Sequence, residues 1–220
     1  MSASESKRKR AGNPPSTQPK KSSRKWIFSA VVIFIICIAV VAFVLLQKPS
    51  SNNGNTPAPE GNPIAVFNTS MGTFKVELFK DKMPITTNNF VKLINDKFYD
   101  GMIFHRINDN FMIQAGRYFP DGSQKTSPYA NIAFETSDVK HVDGAISMAS
   151  TGAKVGGSGE FFVCDGAQPG LDGDYAAFGV TVEGMDVVRN IASQPHAAGP
   201  NNDPAGKPYT DIIINSIRIE

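Results

Sequence analysis

Cysteine is almost missing from this chain, with two in 220 residues, and the pair cannot plausibly meet. Cys37 sits inside a long uncharged run and Cys164 inside a short apolar one, so no internal disulfide is expected and the fold must stand on its core. Histidine is scarce too: His105, His141 and His196 are scattered and do not make a metal-ligand cluster. Gly156, Gly157 and Gly159 come without a phosphate-binding lysine or dinucleotide spacing and read as a flexible loop. Asp172 and Asp174 flank Gly173 without the downstream bidentate acid of a calcium loop, which leaves a tight turn. No metal and no cofactor is expected.

Charge is present but unevenly placed. The formal net charge of +2 conceals nine Lys or Arg against one acid through Lys48, a balance of +8, and thirteen against nineteen, or −6, in the remainder. An acidic remainder argues against a nucleic-acid partner. Residues 1–25 are rich in Ser, Pro, Lys and Arg with no apolar periodicity, the signature of a disordered tail. From Trp26 to Leu46, 21 residues carry no charge, matching the roughly 20 needed to cross a bilayer as a helix. A cleaved signal peptide has a shorter apolar region of about 7–15 residues and a small-residue cleavage site. This run ends Val-Leu-Leu-Gln, which favours an uncleaved transmembrane helix over 26–46. The basic cluster Lys7–Arg10 with Lys20, Lys21, Arg24 and Lys25 stands on one side and Lys48 alone on the other. That asymmetry predicts a single-pass protein of the cell membrane, its tail cytoplasmic and its large domain extracytoplasmic. Residues 47–63, rich in Pro, Asn, Gly and Ser, read as a flexible linker.

The globular part, 64–220, opens with two short strands, Ile64–Thr69 and Thr73–Phe79, joined across Ser70–Gly72. Pro84 suits a first helical position, and Phe90, Val91, Leu93, Ile94 and Phe98 fall near helical spacing, predicting a helix over Ile85–Lys97. Further strands are expected near Ile132 and at Ala145–Ala149, Phe161–Cys164, Ala176–Thr181 and Ile212–Ile219, with a short helix marked by Met185, Val187, Val188 and Ile191. Many strands and two helices predict an all-β barrel.

One stretch, Phe104–Gly116 (FHRINDNFMIQAG), places a guanidinium, a carboxamide and a thioether among large apolar side chains. A turn at Asn108–Asn110 would pair Ile107 with Phe111, set Arg106 opposite Met112 and diagonal to Gln114, and send His105, Ile107 and Ile113 to the core face. His105 then reads as a satisfied structural histidine, while the direction of Phe111, next to the turn, stays open.

This stretch resembles the active-site segment of the cyclophilins, the cyclosporin-binding peptidyl-prolyl cis-trans isomerases. The likeness continues in order through FYDGMIFHR (98–106), GAISMAS (144–150), EFFVC (160–164), LDGDYAAFG (171–179) and VEGMDVV (182–188). It implies a closed antiparallel barrel of about eight strands capped by two helices, with the ligand groove outside it, and an enzyme that rotates X-Pro bonds in proline-containing peptides or unfolded clients. Residue by residue, it implies that Arg106 is the catalytic arginine and Gln114 the amide that orients it. Phe111, Met112 and Phe162 match the proline pocket, Leu171 another wall of it, and Ala149 and Ser150 the groove that holds the substrate backbone. Tyr175 stands where many members have histidine and some tyrosine. Without the resemblance, Met112, Phe162 and Leu171 would read as plain core.

The departures from the pattern are specific. Gly170 replaces the tryptophan of cyclosporin-sensitive members, so tight cyclosporin binding is not expected. Glu160 replaces a glutamine and could pair with Arg106 or alter substrate preference, Asn108–Asn110 replace an Ile-Pro-Gly turn, and Arg117 stands where acid is common. Thr151 replaces a small residue at a secondary pocket, in a connection (151–159) one residue longer than usual. Two readings follow: a membrane-anchored isomerase that assists folding outside the cytoplasm, or a catalytically weak proline-peptide binding module on the same anchor.

Overall fold

The computed structural model describes residues 61–220. The tail and membrane-spanning run expected over 1–25 and 26–46, and the linker up to residue 60, lie outside the described residues. No helix among the described residues is long and apolar enough to cross a membrane. Ordered bonding begins within the expected linker, where Asn62 donates to Glu77 at 2.9 Å and the carbonyl of Pro63 accepts the N–H of Leu78.

The opening hairpin, β1 (Ile64–Thr69) and β2 (Gly72–Leu78), follows from strict alternation. Ala65 and Phe67 on one strand and Phe74, Val76 and Leu78 on the other point inward, because side chains alternate faces along a strand. Register places Phe67 opposite Phe74, with ring centroids 4.5 Å apart. Helix α1 (Pro84–Asn95) starts at the proline, and its first turn finds its acceptor at a distance. The Glu135 carboxylate receives the N–H groups of Ile85 and Thr86 at 3.1 and 2.8 Å. Those are donors that a helix start leaves without intrahelical partners, and an anion there also favours the helix dipole.

The remaining strands are β3 (Arg106–Asn108), β4 (Met112–Ala115), β5 (Ala145–Met148), β6 (Phe161–Cys164), β7 (Ala176–Glu183) and β8 (Ile214–Ile219); α2 (Met185–Ala192) follows β7. All neighbours pair antiparallel in the order β3-β4-β6-β5-β7-β2-β1-β8. The strand expected near Ile132 is absent from this order; its N–H makes one bond to Gly157 within an irregular segment.

The sheet curls as a half-barrel rather than a fully laddered cylinder. Its edge strands β3 and β8 do not pair with each other; the segment before β3 bonds instead to Ile214, the first residue of β8, and to Ile212 just before it, through Gly101 to Ile214, Ile214 to Met102 and Phe104 to Ile212 bonds of 2.8–3.0 Å. The reason lies at the outer edge of β3. Ile107 exchanges both main-chain hydrogen bonds with Gly206, at 2.9 and 3.1 Å, so that edge is already taken.

Inside the curl, Phe67, Phe74, Phe90, Phe98, Tyr99, Phe161 and Phe178 form an aromatic core, each no more than 1% exposed. Cys164 is fully buried on the opposite face of β6 from Val163, and burial pushes its thiol up to about 12, so it is no nucleophile.

Candidate active site

β3, β4, β6 and β5 lie side by side, and the alternation that sends Ile107, Ile113, Val163 and Ile146 into the core sends Arg106, Gln114, Phe162 and Ser147 out. The site therefore stands on the outer face of the sheet. Within the hairpin the expected register slips. Ile107 pairs with Ile113, Arg106 lies directly opposite Gln114, and Asn108 opposite Met112. The turn spans 108–111, closed by the Phe111 N–H on the Asn108 carbonyl. Asn110 takes a φ of 57°, which asparagine tolerates better than most residues, and its N–H is bound by the Asp165 carboxylate at 2.9 Å. The slip keeps parity, so Arg106, Met112 and Gln114 still share a face.

All nine residues singled out from sequence surround one cavity of about 180 Å³: Arg106, Phe111, Met112, Gln114, Ala149, Ser150, Phe162, Leu171 and Tyr175. Phe111, left open by the sequence, turns toward it, its ring 5.6 Å from the Arg106 guanidinium carbon. Met112 and Phe162 are 1% and 6% exposed, against 32% for the Arg106 side chain. A wet cation thus borders a dry apolar hollow. Arg106 Nη1 donates to Gln114 Oε1 at 3.2 Å and passes 3.8 Å from the Met112 sulfur. The Ser150 hydroxyl is spent on the carbonyl of Gly152 at 2.7 Å.

Of the two roles the sequence left open for Glu160, pairing with Arg106 does not form. Gln114 stands between them: its Nε2 donates to Glu160 at 3.1 Å, and Glu160 also takes Arg117 at 3.1 Å. Burial alone would raise the Glu160 carboxyl, but His105, Arg117 and Gln114 outweigh it and hold it below its ordinary range. His105 is not the satisfied histidine expected. Its Nε2 lies 3.5 Å from Glu160 while its enclosed Nδ1 has no hydrogen-bond partner among the described residues.

Two features escaped the sequence. The first is Asp203, whose Oδ2 accepts from Arg106 Nε at 3.1 Å and Nη2 at 2.8 Å. The Ala205 N–H, and after it Arg106, hold this carboxyl below the ordinary range. Nothing in a Pro/Asn/Gly-rich segment 97 residues downstream announced it. The second is a Ser–His–Asp line behind Phe162, with Asp172 Oδ1 3.0 Å from His141 Nδ1 and His141 Nε2 3.0 Å from Ser147 Oγ. Its order is that of a hydrolase triad, yet Ser147 is 0% and His141 2% exposed, so no acyl group reaches the hydroxyl. What it does is hold a ring. His141 stacks against Phe162 at 5.9 Å between centroids and 10° between planes, while Tyr175 meets Phe162 edge-on at 6.0 Å.

Compared with known proteins, the family model described as cyclophilin type peptidyl-prolyl cis-trans isomerase/CLD matches residues 64–219. The chain belongs to this family. It is a cyclophilin-type peptidyl-prolyl cis-trans isomerase. A peptidyl-prolyl cis-trans isomerase of Synechococcus elongatus is 42% identical over 129 residues, 58% of this chain and 87% of that protein. The peptidyl-prolyl cis-trans isomerase-like 3 of Gallus gallus is 34% identical over 157 residues, covering 70% of this chain and 93% of its own. Among solved structures, a Cryptosporidium parvum cyclophilin type isomerase superposes with a TM-score of 0.61 at 27% identity, over 72% of this cyclophilin and 98% of that chain. A second structure of it, in the presence of the dipeptide Ala-Pro, gives 0.59 at 27% identity, over 71% and 98%.

Proposed function

We propose that the cavity around Arg106 is where this cyclophilin rotates X-Pro bonds, and that it does so outside the cytoplasm from a membrane anchor. One observation carries the site assignment: a charged, forked donor that stays partly wet shares a single small cavity with the buried Met112 and Phe162. Rotation of an X-Pro amide crosses about 18–20 kcal/mol and makes or breaks no bond. It needs only help in losing amide conjugation. Phe111, Met112, Phe162 and Leu171 grip the proline ring and exclude water; Arg106 donates toward the proline nitrogen as it turns pyramidal; Gln114 holds the guanidinium in aim; Ala149, Ser150 and Tyr175 line the path of the flanking peptide. A ten-thousand-fold acceleration requires about 5–6 kcal/mol at ~1.4 per decade. One aimed donor supplies about 3–4, and desolvation in the cavity the rest. The Ala-Pro dipeptide of the structural neighbour guides the choice of probe. Cis–trans exchange in an Ala-Pro peptide, read by NMR, is expected to quicken with the full chain and to lose most of that gain in Arg106→Ala; fast exchange kept by the folded variant would contradict the assignment.

Cyclosporin is expected to bind weakly. Gly170 lies in the short turn Pro169–Leu171, beside Leu171 of the cavity, and a Cβ built on it meets no atom within 4 Å. A side chain can therefore leave the backbone there without a clash at its first carbon, and Gly170→Trp is expected to tighten cyclosporin by about tenfold or more, since burying part of an indole is worth at least ~1.4 kcal/mol. Calorimetric titration reads this, and an unchanged Kd would show that Gly170 is not the cause.

The anchor rests on the uncharged run 26–46 and the basic residues before it. Expressed full length in cells, the chain is expected to stay with membranes through alkaline carbonate washing, with its isomerase domain open to protease added outside. Release by carbonate, or protection of the domain, would count against it.

A further inference from the structure

Arg106 offers five N–H groups, and the hydrogen bonds of Gln114 explain the direction of only one nitrogen. The other side of the fork is governed by a loop that reaches β3 from far along the chain. Residues 196–208 fold back on themselves through a bridge between His196 and Pro208 and bonds from Ala197 to Lys207 (3.0 Å) and Gly199 to Asp203 (2.8 Å). Gly206 then fastens this loop to Ile107, the neighbour of Arg106, by a pair of main-chain bonds. Its two arms approach closely enough to require glycine: a Cβ on Gly206 would lie 1.7 Å from the Ala197 carbonyl oxygen, and one on Gly199 2.4 Å from that of Ala205. The loop is thus a built strap.

Asp203 sits at the end of the strap with both oxygens committed. Oδ1 is held by the Ala205 N–H at 2.9 Å, and Oδ2 takes Arg106 Nε and Nη2. The main chain, not the arginine, therefore sets where the carboxylate points. We propose that Asp203 is a positioning residue of the isomerase: it locks the Nε side of the guanidinium while Gln114 locks Nη1, leaving the remaining N–H groups aimed into the cavity. A carboxylate also neutralises charge, which would weaken the donors. At a side chain 32% exposed, however, water already screens the charge and does nothing for aim, so orientation is the larger effect. The inference rests on the reading that Arg106 acts on the X-Pro bond.

The test is a double-mutant cycle in the full chain with Asp203→Asn and Arg106→Ala, measuring kcat and KM on an Ala-Pro peptide. Asparagine can still accept the Ala205 N–H, so the strap keeps its turn while the carboxylate is lost. Expected are a fall in kcat of about tenfold with KM within about twofold, and no further loss when Asp203→Asn is added to Arg106→Ala, since a residue that works through Arg106 has nothing to act on there. Wild-type kcat in Asp203→Asn, or an equal loss in both backgrounds, would overturn the role of Asp203. Wild-type kcat in Arg106→Ala would instead overturn the reading of the site itself.

Discussion

Arg106→Ala is expected to lower catalysed cis–trans exchange of an Ala-Pro peptide by about 100- to 1,000-fold, the usual cost of removing one preorganised donor from a developing charge. Three observations set that size. The guanidinium is gripped on two sides, by Asp203 and Gln114, so its aim does not have to be found anew at each turnover. It borders a cavity whose floor, Met112 and Phe162, is nearly dry, and donors act more strongly where water is excluded. Among the described residues no histidine, cysteine or acid is placed to substitute for it: His141 and Ser147 are sealed behind Phe162, and Glu160 is turned toward Gln114 and Arg117. Stability should hardly move, because a half-exposed ion pair such as Arg106–Asp203 is worth about 0–1 kcal/mol. Peptide exchange by NMR and thermal unfolding, on the same sample, check both halves. Exchange within about threefold of the parent chain would remove Arg106 from the chemistry.

Phe90→Ala is expected to have the largest effect on the fold, about 3–5 kcal/mol. Phe90 projects from α1 into the centre of the aromatic core and is 0% exposed. Its ring lies 5.1 Å from that of Phe178, 5.2 Å from Tyr99 and 5.3 Å from Phe161. Truncation would leave a void walled by rings of β6 and β7, which main-chain ladders hold apart, so collapse cannot close it. Against a typical domain stability of about 5–15 kcal/mol this is a large share. A domain of this size loses about 2–4 °C in Tm per kcal/mol, so a fall of about 6–20 °C is expected. Ile85→Ala, at an exposed position of the same helix, should stay within about 0.5 kcal/mol. A Tm shift under about 3 °C for Phe90→Ala would contradict the packing described.

Where the sequence expectations succeed, a local rule decides. Alternating burial within β1 and β2, the short apolar run of β6, the proline that opens α1, and the apolar spacing of α2 are all set by neighbours a few residues away, and each element lies within a few residues of its expected bounds. The nine residues around the cavity were legible through alternation combined with the cyclophilin resemblance; periodicity alone would have left Met112, Phe162 and Leu171 as core. Where expectations fail, a distant group intervenes. The hairpin turn moved by one residue, with Asn110 at positive φ and its N–H held by Asp165, 55 residues away. The ladder that would have closed the barrel is displaced by Gly206 on the edge of β3. Of the two roles open to Glu160, pairing with Arg106 is ruled out because Gln114 takes Glu160 and Asp203 takes the arginine. None of these partners leaves a mark in the local pattern of the residue it redirects.

The central claim is that X-Pro rotation takes place in the cavity walled by Arg106, Met112 and Phe162. One NMR sample tests it most directly: the full chain with methyl-labelled methionine, titrated with an Ala-Pro peptide whose own cis and trans signals are followed by exchange spectroscopy. The expected result is faster peptide exchange together with a saturable shift of the Met112 methyl signal at the same peptide concentrations, and both lost in Phe162→Ala. Accelerated exchange with the Met112 methyl unmoved at saturation would place the chemistry elsewhere on the molecule and contradict the account.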